Sequence, residues 1–248
     1  MVQNTSKRLC LIVGAGDYIG SSIARRFASG GYHVVMGRRR MERFEALIGE
    51  IEADGGSAQG FQWDSRKEET AIEMFAMVER DIGPIDICVF NVGGNVRFPI
   101  LETTERVFRK VWEMCAWGGF LTGREAAKYM VQRGKGSIFF TGATASVRGG
   151  SGYAAFASGK FALRGLAQSM ARELGPKGIH VAHLIVDAGV DTEFVRERIR
   201  QSGTDPDALP PDTLMNPASI AEVYWQLHHQ PRDGWTHELD IRPFGEKW

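Results

Sequence analysis

The chain has 248 residues, 43% of them hydrophobic, enough for one substantial core and, in an α/β protein, ordinarily one domain. Thirty basic and thirty acidic residues cancel, which excludes the electrostatic footprint of a protein that holds DNA, RNA or an anionic membrane. The polar start Met1 to Arg8 and the short apolar run Leu9 to Val13 carry no signal or spanning segment, so a soluble cytoplasmic protein is expected.

In chain order, short β-rich runs alternate with longer amphipathic stretches. Leu9–Val13, His33–Gly37, Ala58–Gln62, Ile85–Asn91, Ser137–Thr141, Ile179–Val186 and finally His237–Ile241 read as strands, with helical patterns between them. That alternation predicts a mostly parallel, seven-stranded sheet covered by helices on both faces, a single-domain doubly wound α/β fold with right-handed crossovers. Two helices are long. One runs from Thr103 to about Gln132, the other from about Gly152 to Leu174, stopping at Gly175-Pro176 as helix-end chemistry requires.

Gln201 to Asn216 is rich in Pro, Asp and Gly, breaks all periodicity and is expected to form a loop or lid. Cys10 and Cys88 fall in strand-like runs and Cys115 in a helical stretch, a spacing that points to buried thiols rather than to zinc or a disulfide framework. No metal is expected. His180 and His183, three apart in a strand, should point to opposite faces, and His228-His229 falls in a late, surface-like helix.

Between the first strand and the first helix stands Gly14-Ala15-Gly16-Asp17-Tyr18-Ile19-Gly20. Glycines there let the backbone turn tightly and approach a pyrophosphate, whose charge is met by N–H groups at the helix N-terminus. Ordinary turns also use glycine; the strand-to-helix position is what favours a dinucleotide. The second strand ends in Gly37-Arg38-Arg39-Arg40, with no acid to hold ribose hydroxyls. Guanidinium groups match a phosphate through bidentate, charge-assisted bonds, so Arg38 and Arg39 point to the 2′-phosphate of NADP rather than to NAD. The alternative is a solvated basic turn opening the next helix.

With the segment Tyr153-Ala154-Ala155-Phe156-Ala157-Ser158-Gly159-Lys160 added, the chain resembles the short-chain dehydrogenase/reductase family over roughly residues 8 to 245. The resemblance implies a Rossmann-type fold, a homodimer or homotetramer built through the two long helices, and hydride transfer between a nicotinamide and a small carbonyl or alcohol substrate. It places Asp64 against the adenine, Asn91-Val92-Gly93 in the turn after the fourth strand, and Thr192 on the nicotinamide carboxamide. Asp187-Ala188 stand where the family has Pro-Gly. In the family's Gly-x-x-x-Gly-x-Gly pattern Gly14 and Gly20 match, and the middle glycine is Tyr18, set either to crowd the pyrophosphate or to lie alongside the cofactor. Asp17 adds a negative charge near phosphate.

In that family a Tyr hydroxyl moves the proton, a Lys lowers its pKa and binds the nicotinamide ribose, a Ser orients the substrate oxygen and an Asn holds a relay water. Lys160 matches the Lys, whereas Phe156, Ala143 and Cys115 occupy the other three positions. Two neighbouring hydroxyls are candidates for the missing roles: Thr144, one after the Ser position, and Tyr153, three before the Tyr position and on the same helix face. Three residues of helix are about 4.5 Å of rise, large beside the reach of a hydrogen bond. Tyr153 as the acid therefore stands against Tyr153 as a packing or helix-start residue. The aromatic cluster Trp112, Trp117 and Phe120 reads as helix packing.

Three functions are compatible with these residues. The leading one is an atypical NADP-dependent short-chain oxidoreductase with a displaced proton donor. The others are a lyase or isomerase on the same scaffold and a catalytically silent, cofactor-binding sensor or interaction protein.

Overall fold

The computed structural model describes residues 8–42 and 44–246, so all of the polar start but Arg8 lies outside the described residues. Seven strands, β1 (Leu9–Val13), β2 (His33–Arg38), β3 (Ser57–Gln62), β4 (Ile85–Phe90), β5 (Gly136–Thr141), β6 (Ile179–Val186) and β7 (Glu238–Ile241), alternate with helices. Their order across the single sheet is β3-β2-β1-β4-β5-β6-β7, and every pair is parallel. The chain order reverses between β1 and β4. Such a switch point opens a crevice at the carboxyl ends of the strands.

A parallel strand covered on both faces needs apolar side chains at successive positions, and β1, Leu-Cys-Leu-Ile-Val, is buried throughout. Its alternate residues serve two cores. Cys10 and Ile12 belong with Ile23 and Phe27 of α1 (Ile19–Ser29), Phe44 of α2 (Phe44–Ala53) and Tyr224 near the chain's end. Leu9, Leu11 and Val13 belong with Phe75 of α3 (Glu68–Met77) and with Leu121 and Leu163 of the two long helices. The three thiols are buried and free, and burial pushes Cys88 far above the usual thiol range.

The first long helix is capped by Thr104, whose hydroxyl accepts from Val107 N at 3.3 Å, and it ends at left-handed Gly134 (φ +64). It is not uniform: α4 (Glu105–Trp112) passes through a wider π-type turn at Glu113–Trp117 into α5 (Gly118–Arg133). Trp117 and Phe120 pack there as expected, ring centroids 5.3 Å apart, with Trp117 Nε1 donating to Arg66 O at 3.1 Å, whereas Trp112 of the same expected cluster is exposed. The second long helix, α6 (Ala154–Leu174), stops where expected, but Gly175-Pro176 begins a 3₁₀ turn and the left-handed terminator is Gly178 (φ +82). Between β6 and β7 come α7 (Glu193–Gln201), the irregular stretch from Ser202 on, and α8 (Pro217–His228).

His180 and His183 do point to opposite faces: His180 packs on Phe139 and Trp235, while His183 Nδ1 lies 3.1 Å from Glu238 on the other side. The expectation of a surface-like pair at His228-His229 is corrected for His228. Its two ring nitrogens lie 2.8 Å from Ser137 Oγ and 2.8 Å from Tyr32 OH, because α8 lays this turn over the sheet.

Burial pushes His183 down to about 4 and His228 to about 3. Both are neutral when folded at neutral pH. Below about 6.5 the unfolded chain takes up protons that the folded chain refuses, so stability is lost as pH falls from there toward the folded values, by up to about 2 kcal/mol for each by pH 5. The melting temperature is expected to drop between pH 7 and pH 5, with a shallower slope in His228→Asn; identical slopes would remove His228 from the account.

Candidate active site

At the carboxyl end of β1 the chain turns through Gly14 at φ +85, a conformation that suits glycine. A Cβ there would sit 2.8 Å from Asn91 O, and Asn91 Nδ2 donates to Gly14 O at 3.1 Å, so the turn after β4 holds the turn after β1. At Gly20 a Cβ would lie 2.6 Å from Ala15 Cα, which keeps helix and turn in close contact. Gly16 and Gly93 differ, for a Cβ on either would meet nothing within 4 Å. No side chain caps α1 and Ser21 N already donates to Gly16 O at 2.9 Å, so the N–H groups of Ile19 and Gly20 are the ones open to a ligand anion.

These turns floor a cleft of about 1580 Å³, larger than the ~300–1,000 Å³ of a typical small-molecule pocket and roomy enough for a dinucleotide and a substrate together. Arg38, Arg39 and Arg40 line one end of it. Arg38 Nη1 donates to Asp17 Oδ1 at 2.7 Å, so the negative charge at Asp17 is partnered by the arginine expected to read a phosphate. Asp64 is held by both arms of Arg66 at 2.9 and 2.6 Å, and these bonds put its carboxyl below the usual carboxylate range, with Arg39 contributing.

Tyr18 neither closes the glycine turn nor hangs free. Its hydroxyl accepts from Glu193 N at 2.9 Å, strapping the turn to the start of α7. Thr192 Oγ1 accepts from Val195 N at 3.2 Å, so both hydroxyls satisfy amides that the start of a helix leaves orphaned. The base of this lid is tied down by a parallel bridge between Val190 and Met215.

At the far end of the cleft Lys160 is 3% exposed. Its Nζ donates to Thr141 O at 2.8 Å and to Val92 O at 3.3 Å, and burial lowers its pKa, opposed by Cys115. Phe156 lies beside it, ring centroid 5.9 Å from Nζ. Ala143 and Phe156 both line the cleft. Cys115 is buried in the π-type turn, where Cβ atoms at Gly94 and Gly159 would approach its Sγ to 3.0 Å and its Cβ to 2.9 Å. Burial raises its pKa, and Lys160 opposes that.

The two candidate hydroxyls have opposite hydrogen-bond states. Thr144 Oγ1 donates to Asp187 Oδ1 at 2.5 Å, so its proton is engaged and its lone pairs are left to accept. Tyr153 OH accepts from Arg198 Nη2 at 2.9 Å, which leaves its own proton to give. Tyr153 also opens α6, bonding Gly150 O through its N–H. Sequence reasoning missed Arg198, Asp187 as the partner of Thr144, and Arg66. The last was readable from its spacing, two residues after Asp64. Among the described residues no group of His, Cys, Asp and Glu is arranged to hold a metal, and no helix is long and apolar enough to cross a membrane.

Fold, glycine turns and the lysine at the cleft floor define a nucleotide-binding oxidoreductase scaffold. The family model "short chain dehydrogenase" matches residues 8–203, and the chain belongs to that family. A short-chain dehydrogenase structure from Rhodopseudomonas palustris is 49% identical, with TM-score 0.81 over 96% of this chain and 99% of that one. The alcohol dehydrogenase of Thermococcus sibiricus, solved with 5-hydroxy-NADP, is 26% identical with TM-score 0.84, covering 97% and 98%. "Uncharacterized oxidoreductase YuxG" of Bacillus subtilis is 32% identical over 228 residues, 88% of this chain. The chain spans only 33% of that protein's length.

Proposed function

We propose that this protein is an NADP-dependent short-chain oxidoreductase in which Phe156, Ala143 and Cys115 replace the family's usual proton-handling groups and Tyr153 acts as the acid. The observation that carries it is Lys160: a buried ammonium, fixed by two carbonyl oxygens, in the same cleft as the glycine turn and the three arginines. An isolated buried charge is costly, and here it faces a cleft where a ribose and a developing oxyanion would be its partners. The Thermococcus relative's 5-hydroxy-NADP supports the cofactor class.

When bound, the cofactor supplies or accepts the hydride. The chain's own groups do the rest. Gly14, Gly16 and Gly20 let the backbone approach the pyrophosphate, Arg38 and Arg39 meet the 2′-phosphate, and Asp64 and Thr192 hold the two ends. Tyr153 gives its free proton to the substrate oxygen. Thr144, its own proton committed to Asp187, accepts a hydrogen bond from the hydroxyl of an alcohol substrate or product and orients it.

Mixing the protein with NADPH and a carbonyl panel tests this reading. Loss of nicotinamide absorbance, abolished in Tyr153→Phe, is expected. Calorimetry should show NADPH binding more tightly than NADH, with Arg38→Asp erasing the preference and Asp17→Asn, which releases Arg38, widening it. Binding without turnover of any carbonyl would make the protein a silent sensor, conversion without nicotinamide change a lyase or isomerase, and equal affinity for both cofactors would overturn the NADP assignment.

A further inference from the structure

Helix α7 carries three arginines, Arg196, Arg198 and Arg200, which can be sorted by what holds them. Arg196 bonds Asp191 and Asp207, and Arg200 bonds Glu193 and Glu197. Arg198, which lines the cleft, instead donates to the neutral Tyr153 hydroxyl. Among the described residues no carboxylate lies within ion-pair distance of it. Arg148 also lines the cleft, half-exposed, with its nearest carboxylate, Asp187, 3.9 Å away. That carboxylate is already taken by Thr144 and by Arg242, at 2.5 and 3.6 Å.

The acids lining the cleft do not offset these two charges. Asp17 and Asp64 hold Arg38 and Arg66 at the other end, and Glu246 makes no ion pair with Arg148 or Arg198. Met114, Phe194, Ile199 and Leu214 add apolar surface to the lining of the same cleft. The cleft therefore carries, beside this apolar surface, one guanidinium with no carboxylate partner among the described residues, bonded instead to the candidate acid, and a second that shares its distant carboxylate with Thr144 and Arg242.

We infer that the substrate is anionic: a small oxo or hydroxy compound whose carboxylate or phosphate is gripped by Arg198 and Arg148 while its reacting oxygen faces Tyr153. The assignment rests on the oxidoreductase reading and names its substrate class. Guanidinium forks pair with carboxylates and phosphates through two parallel charge-assisted bonds. Arg198's bond to Tyr153 uses one of its five donors, so the rest remain for the anion and the same residue sets the distance between anion and acid. Both arginines sit on exposed surface, and their replacement leaves the core untouched.

The test compares 3-oxobutanoate with its methyl ester, and dihydroxyacetone phosphate with dihydroxyacetone, as substrates with NADPH. The expected kcat/KM advantage of the charged member is about 10–100-fold, the size of a lost hydrogen bond to a charged group. It should shrink at least tenfold in Arg198→Gln and vanish in Arg198→Gln with Arg148→Gln, while Arg200→Gln, the ion-paired neighbour on α7, keeps it. Which pair shows the larger advantage separates carboxylate from phosphate. A second arm needs no turnover: in the presence of NADP the acid, and not its ester, should raise the melting temperature, and the double variant should lose that rise. Turnover that treats acid and ester alike, or an acid preference that survives in the double variant, overturns the inference and leaves the oxidoreductase reading intact. Failure of all turnover with the melting-temperature rise preserved overturns that reading alone, and no rise for either anion overturns the inference.

Discussion

Phe156→Tyr combined with Ala143→Ser is expected to raise the reduction of simple ketones by NADPH by about 10²-fold or more, the lower range of what one positioned acid–base group contributes. Phe156 is almost fully buried, lines the cleft and has its ring centroid 5.9 Å from Lys160 Nζ. A para hydroxyl on that ring adds a single oxygen to a side chain already in place. Ala143 lies in extended backbone, its N–H donating to Ser146 Oγ at 3.1 Å, so a serine there adds a hydroxyl without disturbing the turn. Thr144 does not fill the role, because its proton goes to Asp187. The single Phe156→Tyr change should give less than the pair, since both hydroxyls act on one oxygen, and buried Cys115 limits the gain. A double variant that binds NADPH as the parent does and turns over no faster would sink this account of the site.

The sheet was legible because each strand must feed two cores at once. A run such as Leu9 to Val13 has no other stable reading once helical patterns flank it, and the observed strands agree with the expected ones to within a residue or so. The glycine turn was legible from its place between a first strand and a helix, whereas Lys160 was reached only through the family resemblance of the segment that ends on it. The π-type turn at Glu113–Trp117 was not legible, since no local residue pattern marks it, and the close approach of Gly94 and Gly159 to Cys115 comes from elsewhere in the chain. Arg198 was hidden in an arginine-rich lid helix whose face is set by Tyr18 on Glu193 and by the Val190–Met215 bridge. Asp187 read as a broken Pro-Gly, yet the same departure supplied the partner for a threonine standing one residue from its expected place.

Lys160→Met carries the largest expected loss, a fall in turnover of about 10²–10⁴-fold at saturating NADPH. The ammonium is fixed at the cleft floor by backbone carbonyls, Thr141 O at 2.8 Å and Val92 O at 3.3 Å, and burial has lowered its pKa. Its removal has two opposed effects on stability. The carbonyls lose their donor, at about 1–3 kcal/mol for a group left unsatisfied, while the desolvation penalty of a buried charge disappears. The melting temperature should therefore move by a few degrees in either direction, and the kinetic loss should far exceed what unfolding explains. Tyr153→Phe provides the contrast, since it removes the donated proton while leaving the lysine and its carbonyls in place. Both variants should lose kcat, but only Lys160→Met should also weaken NADPH binding, because only Lys160 is read as touching the ribose. A Lys160→Met protein that keeps kcat within about twofold, with the melting temperature alone altered, would reduce the lysine to a pin between β5 and the turn after β4.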